Sequence, residues 1–174
     1  MDPLPGDAID YPLILSWEED SVSHSYQVGK NALFSRSFVL IAPDGYRIFV
    51  YDFYITNDLL IRFSLVSDEI NENVEADLEQ TLRNGRAIPF TSADTLSPGT
   101  VAIEFIENNQ VFRTSNIADN QEKNLTLLNV KRIQISEKYF FEASISFGCF
   151  IQNLRDNSVT ELRNGQGRIA FRYK

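Results

Sequence analysis

The chain has 174 residues, 43% of them hydrophobic and 23% charged, which is the size of one domain able to bury a core without cross-links. Sixteen Lys and Arg against 24 Asp and Glu leave a net charge of −8, a balance that argues against clustered cations for nucleic acid or anionic lipid. One cysteine excludes an internal disulfide, and one histidine excludes most His-built metal sites.

The opening Met1-Asp2-Pro3-Leu4-Pro5-Gly6-Asp7 has neither a basic n-region nor an apolar h-region. Its composition suits a tether, so we expect residues 1–10 to be an N-terminal tether and 11–174 a single domain. This leaves two compartments open: the cytosol, or the cell envelope after removal of a leader. No stretch approaches the roughly 18 consecutive apolar residues that a membrane-spanning helix needs.

Further along, the dominant signal is alternation with period two. Asp44-Gly45 separates Phe38–Ala42 from Tyr46–Ile55 and reads as a hairpin turn, because Gly accepts positive φ. Tyr46–Ile55 is nearly all apolar and aromatic, as expected of a central strand covered on both faces. Leu59, Ile61, Phe63 and Leu65 alternate with Arg62 and Ser64. Glu72–Arg83 breaks the pattern: Val74, Leu78 and Leu82 stand four apart among acids, which predicts an amphipathic helix near residues 72–84, stopped by Asn84-Gly85.

Alternation resumes at Val101, Ile103 and Phe105, with Asn108-Asn109 as the next turn. Phe141, Ala143, Ile145 and Phe147 alternate with Glu142, Ser144 and Ser146. Asp156-Asn157-Ser158 and then Asn164-Gly165-Gln166-Gly167 read as turns before a last strand through Ile169, Phe171 and Tyr173. The sum is an all-β chain: an antiparallel β-sandwich of about eight to ten strands with one inserted helix.

From Gly99 onward, the hairpin Val101–Phe105/Val111–Ser115, then Leu125-Thr126-Leu127, Phe141–Phe147, Val159–Gly165 and the terminal Ile169–Tyr173 resemble the C-terminal half of small β-sandwich lipoproteins of the Bacteroidota cell envelope. The resemblance implies a self-complementary sheet, a place in the periplasm or on the outer-membrane surface, and no catalytic residues to carry over. Two departures stand out. Gly167 occupies a position where that family tends to carry an aromatic, and no lipid-acceptor cysteine precedes the domain.

Chemistry is sparse in the sequence. His24 lies in Ser23-His24-Ser25, but strand geometry gives no reason for a Ser–His hydrogen bond, and no Gly-x-Ser-x-Gly elbow is present. Asp52, inside Tyr51-Asp52-Phe53-Tyr54, is an acid in an apolar strand and needs a partner, with Arg47 or Arg62 as the candidates. The loop Asp68–Asn73 offers oxygen ligands of the kind calcium prefers, without EF-hand spacing. Cys149 reads as a small core hydrophobe. These patterns imply no catalytic residue, metal or cofactor.

Trp17, Tyr46 and Tyr54 are the candidate aromatic platform for a ligand such as a glycan. The expected function is therefore a non-catalytic envelope module for binding or scaffolding, with a glycan or envelope protein as partner, no nucleic acid, and a membrane contact only through a lipid anchor. Two rival readings are an acidic inhibitor of a basic partner and, weakest, a carbohydrate-active enzyme with paired carboxylates.

Overall fold

A computed structural model describes residues 7–9 (backbone only), 13–115 and 120–174. Among the described residues, twelve strands and one helix follow in order: β1 Asp7–Ile9, β2 Ile14–Glu19, β3 Val22–Gln27, β4 Phe34–Ile41, β5 Arg47–Tyr54, β6 Leu59–Val66, α1 Val74–Thr81, β7 Ala87–Pro89, β8 Val101–Glu107, β9 Gln110–Thr114, β10 Asn124–Ile135, β11 Lys138–Asn153 and β12 Val159–Arg172. The pairings between named strands are antiparallel, as the alternation implies. The strands form one sheet in the order β1-β4-β5-β6-β8-β9-β11-β12-β2-β3, with β10 and β7 branching from β11. The sheet curls into a half-barrel. Sequence therefore gives the strand class correctly but undercounts the strands.

One inner face carries the core. Phe49, Tyr51 and Phe53 of β5, Ile61, Phe63 and Leu65 of β6, and Val101 and Ile103 of β8 are buried there with Ala143 and Ile145 of β11. Aromatic contacts tie distant strands across it. Phe63 meets Phe147 edge-on at 5.8 Å, and Trp17 meets Phe105 at 5.2 Å. Helix α1 contributes Leu78 to this core and is N-capped by Asn73, whose side chain accepts from the Ala76 amide. It is shorter than predicted and has no cation in its last turn. Arg47 and Asp77 form an ion pair that fastens the helix to the start of β5, with the Asp77 side chain fully buried.

Two glycines overturn a predicted turn. Asn164–Gly167 lies inside β12 as continuous strand, with a bulge between Arg163 and Gln166. A Cβ on Gly165 would sit 2.5 Å from the Phe147 ring, and one on Gly167 would sit 2.9 Å from the Ile14 carbonyl. The glycines serve close approach between strands, not chain reversal. The Asp44-Gly45 and Asn108-Asn109 turns are as expected, with Gly45 and both asparagines at positive φ. Asp20 and Ser21, also at positive φ, make a further tight turn between β2 and β3.

Part of the expected tether is a strand. Asp7–Ile9 pairs with Ser35–Ser37, while residues 1–6 and 10–12 lie outside the described residues. On the far edge, the Asn31 side chain accepts from the Gln27 amide and donates to the Ser25 carbonyl, which occupies backbone groups of edge strand β3. No helix of the described residues is long and apolar enough to cross a membrane.

Candidate functional site

Strand register places two rows of side chains across the outer face of β4, β5, β6, β8 and β9. Directly opposed residues in an antiparallel pair share a face. One row is therefore Phe34, Tyr54, Leu60, Ile106 and Val111. All five are half-buried, so each keeps apolar surface in water. The adjacent row is Arg36, Asp52, Arg62, Glu104 and Arg113. At a strand spacing of about 4.8 Å, each row spans roughly 19 Å.

The charged row is neutralised along its length. Asp52 is 0% exposed and accepts four guanidinium hydrogen bonds. Arg62 Nε reaches Oδ1 at 2.7 Å, and Arg62 Nη2 reaches Oδ2 at 3.0 Å. Arg36 Nε and Nη2 reach Oδ2 at 3.1 and 2.9 Å. Charge-assisted donors in this number fill the lone pairs that a base or nucleophile would need. Asp52 in turn holds the Arg62 guanidinium above its already high range. Arg113 pairs with Asp94 at the other end of the row. Between Arg62 and Arg113 stands Glu104, whose carboxyl burial raises above the usual glutamate range against the pull of both arginines.

Aromatic rings wall this row. Phe34 and Tyr54 stack at 4.4 Å with planes 19° apart. The Arg36 guanidinium lies 5.2 Å from the Tyr54 ring and 5.4 Å from Phe38, and Arg62 lies 5.9 Å from Phe38. Packing on both faces fixes the rotamers of Arg36 and Asp52, so the surface is rigid before any ligand arrives.

The three platform residues read from sequence do not come together. Trp17 is 4% exposed and lies in the core, stacked on His24 at 4.9 Å. Tyr46 precedes β5, and Tyr54 ends it, about 26 Å away along an extended chain. Tyr54 alone sits on the outer row. His24 has Glu19 as its charged neighbour at 4.0 Å, and no serine hydroxyl bonds to it among the described contacts.

Asp52 takes Arg62, as expected, but Arg36 instead of Arg47, which is committed to Asp77. Arg36 was legible in principle. It stands eight residues before Asp44 and Asp52 stands eight after it, with serines and phenylalanines flanking Arg36.

In the acidic loop 68–73, Asp68, Asn71 and Asn73 are engaged within the chain, while Glu69 and Glu72 are exposed. Asp68 pairs with Arg86, Asn71 donates to Asp77 and Gln80, and the carbonyls of Asn71 and Asn73 accept from Arg47. Among the described residues, no group of three or more His, Cys, Asp or Glu is arranged to hold a metal ion. Cys149 is buried, and burial pushes its thiol up to about 12.

Comparison with protein-family models, curated proteins and solved structures returns no match. The two-row face thus stands on its own geometry.

Proposed function

We propose that this chain is a non-catalytic β-sandwich module of the cell envelope, a surface lipoprotein in kind, which holds an extended carbohydrate on the outer face of β4–β9. The observation that carries this reading is the half-buried row Phe34-Tyr54-Leu60-Ile106-Val111 lying beside a charged row that is internally paired. Sugar rings offer apolar faces that stack on aromatics and hydroxyls that bond to fixed polar groups. An extended face with both properties suits such a ligand without committing a side chain to chemistry.

The two-layer reading of the curled sheet is supported by contacts between its halves. Phe171 of β12 meets Phe49 and Tyr51 of β5 edge-on, at 6.0 and 6.1 Å. The envelope placement rests on the sequence resemblance over residues 99–174. The non-catalytic reading rests on Asp52, which is sealed beneath guanidinium groups and so cannot act as a second acid beside Glu104.

A glycan array screened with the wild-type chain and Tyr54→Ala tests this reading. Binding to a neutral oligosaccharide that weakens about tenfold in the variant supports it. Hydrolysis of a glycan that is abolished by Glu104→Gln, or an absence of glycan binding, contradicts it.

A further inference from the structure

The outer charged row ends on a carboxylate that comes from outside the sheet. Arg113 of β9 stands directly opposite Glu104 of β8, and both of its terminal nitrogens donate to the two oxygens of Asp94. This fork-to-fork pair fixes a carboxylate in angle as well as in position. The turn that carries Asp94 is rooted on the same two strands. The Thr91 amide donates to the Val101 carbonyl at 2.9 Å, and the Thr114 hydroxyl donates to the Thr91 carbonyl at 2.8 Å. The Thr91 hydroxyl donates in turn to the Thr95 carbonyl at 3.1 Å, and the Thr95 amide to the Ser92 carbonyl at 3.0 Å, which closes the turn around Asp94.

Asp52, Glu104 and Asp94 differ in what they still present to a ligand. Asp52 is 0% exposed and accepts from two guanidinium groups. Glu104 is half-buried between Arg62 and Arg113. The Asp94 side chain is 61% exposed, whereas that of Arg113 is 20% exposed. A carboxylate has about four acceptor positions, and the fork takes one on each oxygen of Asp94. Asp94 answers the charge of Arg113, so this end of the row presents oriented acceptors and no spare cation. Arg113 follows Val111 by two residues on the same face of β9, roughly 7 Å along the strand. The pair therefore borders the apolar row at the end farthest from the stacked Phe34 and Tyr54.

We infer that Asp94 is the hydroxyl acceptor of this face: it takes hydrogen bonds from two neighbouring hydroxyls of a sugar ring seated on Ile106 and Val111, and Arg113 is its positioning residue. This rests on the carbohydrate reading above and names the fixed polar group which that reading requires. The two oxygens of one carboxylate are spaced to accept both hydroxyls of a gauche vicinal diol. A trans-diaxial pair points its hydroxyls apart, and a substituted pair has lost a donor. The ligand class is thus a neutral saccharide with an unsubstituted vicinal diol. A uronic acid at this position is disfavoured, because its carboxylate would meet that of Asp94.

The test titrates the whole chain with neutral gluco-, galacto- and manno-hexasaccharides, and with analogues in which each ring lacks one hydroxyl of its vicinal diol. The wild-type chain should prefer the parent that it binds over the deoxy analogue by about tenfold, the scale of a hydrogen bond to a charged group. In Asp94→Ala that preference should fall below about twofold, with affinity for the deoxy analogue unchanged. Arg113→Lys keeps the charge but loses the fork, so its preference should lie between the two. Tyr54→Ala should weaken parent and analogue alike and leave the preference intact, which separates the acceptor from the stacking platform. Thermal melts establish that each variant is folded. A preference that survives in Asp94→Ala, or none in the wild-type chain, overturns the inference and leaves the carbohydrate reading standing. Absence of binding across the whole series removes both.

Discussion

Asp52 and Arg62 face each other across β5 and β6, and two hydrogen bonds of 2.7 and 3.0 Å join them on the outer side of the sheet. With Arg36 closing from β4, the carboxylate is enclosed although it lies on the face turned away from the core. Removing it takes from both guanidinium groups the carboxylate they share, and one of them is almost fully buried. Asp52→Ala should therefore cost about 3 kcal/mol, at the lower end for a broken buried pair because Arg62 retains some water. Urea denaturation checks this, and a loss below about 1 kcal/mol would mean that the row does not organise the sheet.

Gly165 is a site of close approach. Gly165→Ala drives a methyl into the Phe147 ring and should destabilise the chain by about 1–3 kcal/mol. Combining it with Phe147→Leu should cost less than the sum of the two single changes, since the clash disappears. Strict additivity in a double-mutant cycle would place the strain elsewhere.

The raised Glu104 carboxyl has a definite sign in linkage. The folded chain binds this proton more tightly than the unfolded chain does, so its contribution to stability is complete below the ordinary glutamate pKa. That contribution is lost as pH rises through the folded value. Glu104→Gln should flatten the stability profile across this window, and a carboxyl titration followed by NMR should give a midpoint above the usual glutamate range. A midpoint at or below that range would show that Arg62 and Arg113 outweigh burial.

Cys149 provides a probe of global opening. Its thiol, buried and pushed up to about 12, should remain unreactive toward a disulfide reagent in the folded chain and react in step with unfolding. Rapid labelling under native conditions would indicate that β11 opens locally.

Local physics explains what was legible in the sequence. Alternation is a property of each strand, so β6, β8 and β11 stand out from residue order alone, β5 stands out as a nearly continuous apolar run, and the helix shows in its fourfold spacing at Val74, Leu78 and Leu82. Gly165 and Gly167 misled because the same residue type serves turns and close contacts, and only the neighbouring strand distinguishes them. The platform residues suffered from the same ambiguity: an aromatic on a strand reads alike whether it faces the core, as Trp17 does, or the outer row, as Tyr54 does. Pairing of Arg62 with Glu104 depends on β6 meeting β8 across the intervening helix, a non-local event that spacing does not encode.

The most direct measurement is an amide chemical-shift titration of the chain with a neutral oligosaccharide selected from the array. Shifts should be confined to β4, β5, β6, β8 and β9 around Phe34, Tyr54, Leu60 and Ile106, and should be largely lost in Tyr54→Ala. Shifts that instead follow the core around Trp17, or that leave the outer row untouched, would contradict it.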